Sequence, residues 1–421
     1  MIPVATTWPI FAFWRVCTVL MALSCVFPAF AQEETRDKET AIAFALRLVG
    51  DGERVRLLVD FDKTTSHDVY LLDEPRRMIV DLGQTVFTIG DRAESLPELI
   101  SDYRAGTIAP ARSRIVLELA ADATVKDVSF KPVEDSKRHR LIVDLVASDR
   151  EAFAEQVKRD SERRSVSEAG RGQVAYKGDR IERADAEQEN IFTVVLDPGH
   201  GGIDGGAVGK GRTVEKVVTL KFAEALRDAL QDQPGLRVVM TRDDDTFVSL
   251  EDRVNIARRQ KAGLLISIHA DSLRQSRIRG ATIYTLSKKG SDELAQQLAE
   301  KQNRTDLIAG LDLPKLEEDA TDILIDLTRR ETGVFSRRVA AQLLSALQPK
   351  VKLIKNPKRS ADFFVLRAPE IPSVLLELGY LSNRRDEKLM ASPKWRSQTA
   401  RLVADAVVAF FQPRLESKPA D

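Results

Sequence analysis

The stretch "VVLDPGHGG", Val194 to Gly202, decides the fold of the second half of this 421-residue chain. An apolar run typical of a buried strand ends in a glycine-rich turn, and an amphipathic helical pattern begins at Val214. Strand, glycine turn and helix in this order indicate an α/β sheet covered by helices. His200 follows the strand directly, at the end of the strand where such sheets bind their ligands.

The residues after this turn repeat the same alternation of strand and helix. Thr213 is the expected N-cap of the first helix, which carries apolar residues along one face. Further strands are predicted at "LRVVMTR", "GLLISIHA", "ATIYTL" and "SVLLELG", with a helix at "SLEDRVNIARRQ". The pattern predicts an α/β domain over 191–414, with a mostly parallel sheet flanked by helices on both faces.

Residues 41–148 follow a different pattern, of short apolar or alternating runs divided by turn residues. The run "MIVDL" at 78–82 is echoed by "LIVDL" at 141–145. Such runs predict a small all-β sandwich. His67 and His139 lie here without ligand spacing around them, so we interpret them as surface or turn residues.

Residues 149–190 are rich in charge and lack apolar periodicity. This composition predicts a flexible charged linker, with a short helix at its start.

The N-terminal segment 1–31 has the pattern of a secretory signal peptide. Arg15 precedes an apolar run, and Ala29-Phe30-Ala31 supplies a small-x-small cleavage site. Export to the periplasm and cleavage after Ala31 are therefore expected. An uncleaved membrane anchor is disfavoured because the apolar run is shorter than the roughly 20 residues of a membrane span. A lipoprotein attached through Cys25 is disfavoured because no leucine lies three residues before it.

Composition excludes several other classes of protein. Lys plus Arg and Asp plus Glu both number 64, so no basic surface for nucleic acid is expected. Both cysteines, Cys17 and Cys25, lie in the predicted signal peptide. Residues 32–421 therefore offer no disulfide, catalytic thiol or thiolate metal ligand.

His200, Glu215 and His269 form a His₂Glu set, a recurrent ligand set of catalytic zinc that leaves a fourth position for water. Each has another interpretation. Glu215 could complement a helix N-terminus, and His269 could be a hydrogen-bonded core residue. The loop of His200 could hold a phosphate, although it lacks the P-loop and dinucleotide spacings.

Glu377 lies inside the apolar strand "SVLLELG". A buried, unpaired carboxylate would cost several kcal/mol. It therefore needs a cation, an arginine or a shifted pKa, and a shifted pKa is how a general acid or base is prepared.

Residues 192–412 closely resemble the zinc-dependent N-acetylmuramoyl-L-alanine amidases of the amidase-3 type. The resemblance implies that His200, Glu215 and His269 bind Zn²⁺, and that Glu377 is the catalytic residue for hydrolysis of the peptidoglycan amide between N-acetylmuramic acid and L-alanine. A zinc peptidase cutting within the stem peptide remains an alternative. A catalytically inactive wall-binding protein would normally have lost a ligand, and none of the four positions is substituted. The stretches that carry the resemblance are "VVLDPGHGGIDGGAVG", "VEKVVTLKFA", "TRDDDTFVSLEDRVNIAR", "ISIHADS" and "VLRAPEIPSVLLELGYLSN".

Residues 41–148 more loosely resemble the AMIN domain, a β-sandwich that guides such amidases to the wall at division sites. The resemblance implies septal wall splitting and daughter-cell separation, with no stable membrane anchor after signal cleavage.

Asp197 and Asp271 are close enough in sequence to the histidines to support them or to cap turns, and the sequence leaves both roles open.

Residues 287–332 are too long for an ordinary connection and are predicted to be a regulatory helical insertion. The division amidases carry an insertion here, whose helix offers the zinc a carboxylate until a LytM-type activator withdraws it. Many relatives read Glu-Asn where this chain reads Gln302-Asn303. The blocking carboxylate is therefore expected from Glu300 or Glu293, or the helix is held by the Gln302 amide.

Overall fold

The computed structural model describes residues 40–89, 95–133, 138–169, 191–311 and 323–416. The predicted signal peptide lies outside these residues, as do 170–190 of the predicted linker and 312–322 of the predicted insertion. Within the described ranges, no helix has the length and apolar character needed to cross a membrane.

The N-terminal region is a sandwich of two sheets, which confirms the all-β prediction. The five-stranded sheet has the order β5-β1-β2-β9-β8 and the four-stranded sheet the order β3-β4-β7-β6. The echoed runs "MIVDL" and "LIVDL" fall in β4 and β9, an inner strand of each sheet. Three alternate apolar residues of each run meet in one core, namely Met78, Val80 and Leu82 with Leu141, Val143 and Leu145. The strands are β1 (Ala41–Gly50), β2 (Arg54–Phe61), β3 (His67–Leu72), β4 (Arg77–Gly83), β5 (Thr85–Phe87), β6 (Ile100–Ala109), β7 (Arg112–Leu119), β8 (Ala123–Pro132) and β9 (His139–Ala147).

Helix α1 (Arg150–Ala169) follows β9 at the start of the predicted linker, and its 20 residues make it longer than the short helix expected there. Phe153 is fully buried in the core of the sandwich. Asp160 accepts a hydrogen bond from the backbone N–H of Leu71 at 3.0 Å. Tertiary contacts therefore hold a helix that has almost no amphipathic pattern of its own.

The C-terminal region contains a six-stranded sheet in the order β11-β10-β12-β15-β13-β14. All neighbouring strands pair in parallel except β13 and β15, so the prediction of a mostly parallel sheet is confirmed. The polar edge strand β14 had no apolar signal in the sequence. The strands are β10 (Phe192–Pro198), β11 (Leu236–Met240), β12 (Leu264–His269), β13 (Ala281–Leu286), β14 (Leu353–Ala361) and β15 (Ser373–Glu377).

Helices cover both faces of this sheet, as predicted. On one face α2, α6 and α8 pack against side chains of β10, β12 and β15. On the other face lie α3, α4 and the short 3₁₀ helix Phe364–Leu366. The helices are α2 (Glu215–Leu230), α3 (Leu250–Arg259), α4 (Glu293–Gln302), α5 (Thr305–Ile308), α6 (Ile323–Leu347), α7 (Arg384–Ala391) and α8 (Pro393–Glu416).

The N-cap of α2 is Val214, without a side-chain cap, so the prediction of Thr213 is wrong. Thr213 lies one residue earlier, where its carbonyl accepts a hydrogen bond from Gly209 at 2.8 Å and closes the preceding loop. Its backbone is therefore committed to the loop and not to the helix.

Three parallel strands bring the candidate residues to one edge of the sheet. His200 lies two residues beyond β10, while His269 and Glu377 are the last residues of β12 and β15 and are register partners. Glu215 is the first residue of α2. The carboxyl edge of the sheet thus assembles residues that are up to 177 positions apart in the sequence (200 against 377).

Candidate metal centre

His200, Glu215 and His269 are all buried, and one potential ligand atom from each lies within 4.8 Å of the others. Glu215 lies between the imidazoles, with Oε2 at 3.1 Å from His200 Nε2 and Oε1 at 3.3 Å from His269 Nδ1. Backbone N–H groups of Ala207 and Ala270 each donate to this carboxylate at 2.8 Å. The first turn of α2 therefore presents Glu215 in a fixed orientation to both histidines.

The orientation of the His200 ring is fixed by Asp204, a residue that the sequence did not single out. Asp204 Oδ2 lies 2.6 Å from His200 Nδ1, so this carboxylate fixes the Nδ1–H tautomer. Within the described part of the chain, the buried His200 Nε2 has no hydrogen-bond partner. A buried imidazole nitrogen without a hydrogen-bond partner, facing a carboxylate and a second imidazole, fits a metal ligand.

Glycine is required at two positions because the chain passes so close to these side chains. A Cβ on Gly199 would lie 2.3 Å from His269 Cε1. A Cβ on Gly206 would lie 2.6 Å from His200 Cδ2 and 2.7 Å from Glu215 Oε2. The glycine-rich loop therefore makes room for the two imidazoles and the carboxylate.

The electrostatics of the site favour a bound cation. Burial disfavours the charged imidazole of His200, yet the carboxylates of Asp204 and Glu215 raise its pKa to about 10. Burial would raise the pKa of Glu215, but His200 and His269 lower it well below the usual value. The buried set thus stabilises positive charge at its centre, and together with the free His200 nitrogen it fits a divalent metal ion.

The pKa of Glu377 is shifted in the opposite direction from that of Glu215. It is fully buried, and burial raises its pKa well above the usual value, with the carboxylates of Asp271 and Glu215 adding to the rise. Its Oε2 accepts a hydrogen bond from the backbone N–H of Asp271 at 3.2 Å, whereas Oε1 has no hydrogen-bond partner among the described residues. Two carboxylates in one site with pKa values pushed apart are typical of an acid–base centre.

Asp197 supports the loop and does not touch the candidate ligands. Its carboxylate, buried and ionised, accepts from Arg253 at 2.6 Å. Arg253 in turn donates to the backbone carbonyls of Pro198 and His200, both at 2.8 Å. Burial would raise the pKa of Asp197, but Arg253 and two hydroxyl donors hold it below the usual value.

Helix α4 covers the site, with Gln302 and Lys301 directed towards it. Gln302 is buried, and its Nε2 donates to Asp271 Oδ2 at 3.2 Å. Lys301 Nζ pairs with Asp271 Oδ1, a contact that the sequence did not suggest. The cavity that His200, His269 and Gln302 help to line has a volume of about 10 Å³, about the room that one water molecule needs.

Glu293 and Glu300 do not point at the site. Both are exposed on the outer side of α4, where they accept hydrogen bonds from Gln297 and Gln296 at 3.1 and 2.9 Å. The helix faces Asp271 with the end of its last turn, which places an amide and an ammonium group there instead of a carboxylate.

Comparison with known proteins identifies the family. Residues 194–409 match the family model described as N-acetylmuramoyl-L-alanine amidase. The chain is 30% identical over 381 residues to the N-acetylmuramoyl-L-alanine amidase AmiC of Escherichia coli strain CFT073, covering 87% of this chain and 89% of the relative. It is 29% identical over 418 residues to AmiC of Neisseria meningitidis strain MC58, covering 94% and 95%. Over 219 residues it is 37% identical to AmiA of Escherichia coli K12, covering 52% and 75%. The chain with this His-Glu-His centre and buried glutamate therefore belongs to the N-acetylmuramoyl-L-alanine amidase family.

Proposed function

We propose that this protein hydrolyses the amide between N-acetylmuramic acid and L-alanine in peptidoglycan, with Zn²⁺ held by His200, Glu215 and His269. The observation that carries the proposal is the convergence of these three side chains beside the buried Glu377, in a chain of the amidase family. When bound, the zinc ion supplies Lewis-acid chemistry, which polarises a carbonyl oxygen and makes water nucleophilic near neutral pH.

Glu377 is the proton carrier in this proposal. The unpaired Oε1 is free to take a proton from the attacking water, and the raised pKa lets the carboxyl keep that proton until the leaving nitrogen accepts it. The backbone N–H of Asp271 holds the other oxygen in place. Because Asp204 holds His200 Nδ1, its Nε2 remains available as the ligand atom.

The remaining parts of the chain fit an exported wall enzyme. Residues 1–31 act as a signal peptide that directs the protein to the periplasm, and no membrane anchor remains after cleavage. Residues 41–148 act as an AMIN-like domain that guides the enzyme to peptidoglycan at the septum, where the amidase domain at 191–414 splits the wall for daughter-cell separation.

Residues 287–332 act as a regulatory insertion that keeps the resting enzyme closed. The contacts of Gln302 and Lys301 with Asp271 and the water-sized cavity support this role, because they leave little room for a peptidoglycan strand beneath α4. A LytM-type activator protein is the partner proposed to withdraw the helix. The closure then rests on an amide and an ion pair rather than on a carboxylate bound to the zinc.

The decisive experiment is product analysis of sacculi digested by the metal-loaded protein. We expect intact stem peptides with a free L-alanine amine, and glycans with a free lactyl carboxylate. Shortened stem peptides would instead identify the zinc peptidase. Glu377→Gln is the matched control, because the amide fills the same volume but cannot carry the proton. It should retain zinc by atomic absorption and lose at least about 100-fold in turnover. Near-native turnover by this variant would contradict the assigned role of Glu377.

A further inference from the structure

The four-stranded sheet of the N-terminal sandwich contacts the insertion directly. Arg77 Nη1, from β4, donates to the carbonyl of Leu307 at 3.0 Å. Arg114 Nη1, from β7, donates to the carbonyl of Ala309 at 2.6 Å, and the same guanidinium is fixed by Asp81 at 2.9 Å. Two buried arginines of one domain therefore bind the last carbonyls of α5, where cations stabilise a helix end.

An apolar contact lies beside these hydrogen bonds. Ala309 is fully buried in a cluster with residues of the sandwich. Gly310 follows with a φ of +70°, and a Cβ at this position would lie 2.6 Å from Ile79 Cδ1. The chain leaving α5 is thus packed closely against the sheet. The residues of the sandwich in this cluster are Tyr70, Ile79, Ile108 and Val116.

Helix α5 begins at Thr305, with two residues between it and Gln302, where α4 ends over the site. Thr305, at the start of α5, donates its hydroxyl proton to the carbonyl of Gln302 at 3.0 Å. Asn303 between them donates to the carbonyl of Asp362 at 2.7 Å and accepts from the N–H of Phe364 at 2.8 Å. Helix α5 is therefore coupled to Gln302 by the hydrogen bond of Thr305 and by two intervening residues, of which Asn303 is also held by Asp362 and Phe364.

The sandwich is also fixed to the loop that carries His200. The N–H of Ile203 donates to the carbonyl of Thr107, in β6, at 3.0 Å. A Cβ on Gly106 would lie 2.5 Å from Ile203 Cα. One sheet therefore contacts both sides of the site, the loop that carries His200 and the chain at α5.

From these contacts we infer that the N-terminal sandwich holds α4 and α5 closed over the metal centre, in addition to any role in wall binding. Arg77, Arg114 and the apolar cluster are the restraint, and separation of the sandwich from α5 is the step that loosens Gln302 and Lys301. The inference rests on the proposed function of the insertion as a cover.

The test uses the full chain and two variants that attack the contact from opposite sides. Ala309→Asp places a carboxylate in the apolar cluster but leaves the sandwich sequence intact. Arg114→Gln removes the guanidinium but leaves the insertion intact. Their matched controls are Ala391→Asp, on an exposed helix end, and Arg56→Gln, which breaks a cross-strand pair with Asp144 in the other sheet.

Hydrogen–deuterium exchange of the amides in 295–308 is the first readout, and turnover of sacculi is the second. Arg114→Gln loses a hydrogen bond from a charged group, and Ala309→Asp buries a carboxylate in an apolar cluster. Each change should accelerate exchange at least about tenfold. The controls should exchange as the parent does. If the amides in 295–308 of both variants exchanged at the same rate as in the parent protein, the inference would be overturned. Faster exchange with no rise in basal turnover would uphold the restraint and refute the proposed covering role.

Discussion

At the scale of single residues, the chemistry depends on two carboxyl groups at the site that favour different protonation states. Glu215 is held ionised by two imidazoles, whereas Glu377 is shifted towards its protonated form by burial and by neighbouring carboxylates. Asp204 does not contact the centre between the ligands, but it selects which nitrogen of His200 faces that centre. The tautomer of His200 is therefore determined by Asp204, four positions further along the chain.

This dependence predicts a large effect of Asp204→Asn. The asparagine Oδ1 can still accept from Gly206, as Asp204 does at 3.0 Å. Its amide nitrogen, however, would face His200 Nδ1 and favour a proton on Nε2, which removes that atom as a ligand. We expect zinc affinity to fall by roughly 10- to 100-fold. Chelator competition measures it, with the exposed Asp232→Asn as the control. Unchanged affinity would show that Asp204 does not set the tautomer.

The sequence predicted some of these residues and missed others for physical reasons. His200, His269 and Glu377 were predictable because parallel strands align their carboxyl ends, and because a carboxylate within an apolar strand is costly. Asp204 resembled an ordinary turn residue of a glycine loop. Lys301 was missed because the spacing of α4 gives its apolar face but not which of its polar residues reaches Asp271.

At the scale of elements, α5 is the shortest α-helix in the described part of the chain, with four residues, and yet it contacts several other elements. Its Asp306 is buried and accepts from the N–H of Leu250, at the first turn of α3, at 3.0 Å. Burial raises the pKa of Asp306 to about 6, and the carboxylates of Asp252 and Asp204 act in the same direction. The hydrogen bond from Leu250 and the charge of Arg253 oppose the rise.

A pH dependence of stability follows from this shift. The folded protein binds the Asp306 proton more tightly than the unfolded chain, whose carboxyl has a pKa of 3.8. Stability from this group is therefore fully present below about pH 4 and is lost as the pH rises to about 6, by up to about 3 kcal/mol. Asp306→Asn keeps an acceptor for Leu250 and removes the titration. Denaturant unfolding of both proteins between pH 4 and 7 should show the parent losing stability relative to the variant. If the difference in free energy of unfolding between the parent and the variant did not change with pH, the raised pKa of Asp306 would be contradicted.

The elements missed from sequence are those held by contacts rather than by their own pattern. Over 150–165, where side-chain burial is described, helix α1 has one fully buried apolar side chain, Phe153. The edge strand β14 has a mostly polar sequence. Neither shows the apolar periodicity on which strand and helix prediction rests. The buried strands β10, β12 and β15 show it clearly, and they were predicted.

At the scale of the whole molecule, the two domains share a buried boundary that sequence patterns did not indicate. Arg77 and Arg114 are both buried, and each donates to a backbone carbonyl of the insertion. The apolar cluster of Ile79, Ala309 and Phe247 likewise draws on three separate segments. Long-range contacts of this kind leave no local periodicity in the chain.

The boundary makes a prediction for Gly106→Val. The larger side chain meets the backbone of Ile203, which cannot move away as a flexible side chain would. We expect the sandwich to undock, so the radius of gyration from small-angle X-ray scattering should increase while circular dichroism stays constant. Gly52→Val is the control, since a Cβ there first meets Glu98 Oε2, a flexible side-chain end, at 3.1 Å. A parental radius of gyration for Gly106→Val would refute tight docking.

The close approach of Gly106 to Ile203 also limits how such enzymes can exchange modules during evolution. A targeting domain joined by a tether alone could be replaced by any other without loss. Here a donated domain must bring a glycine opposite Ile203 and arginines opposite Leu307 and Ala309. Chimaeric amidases should therefore fold and dock best when the sandwich and the insertion come from the same parent. The two segments are distant in sequence but are expected to evolve together.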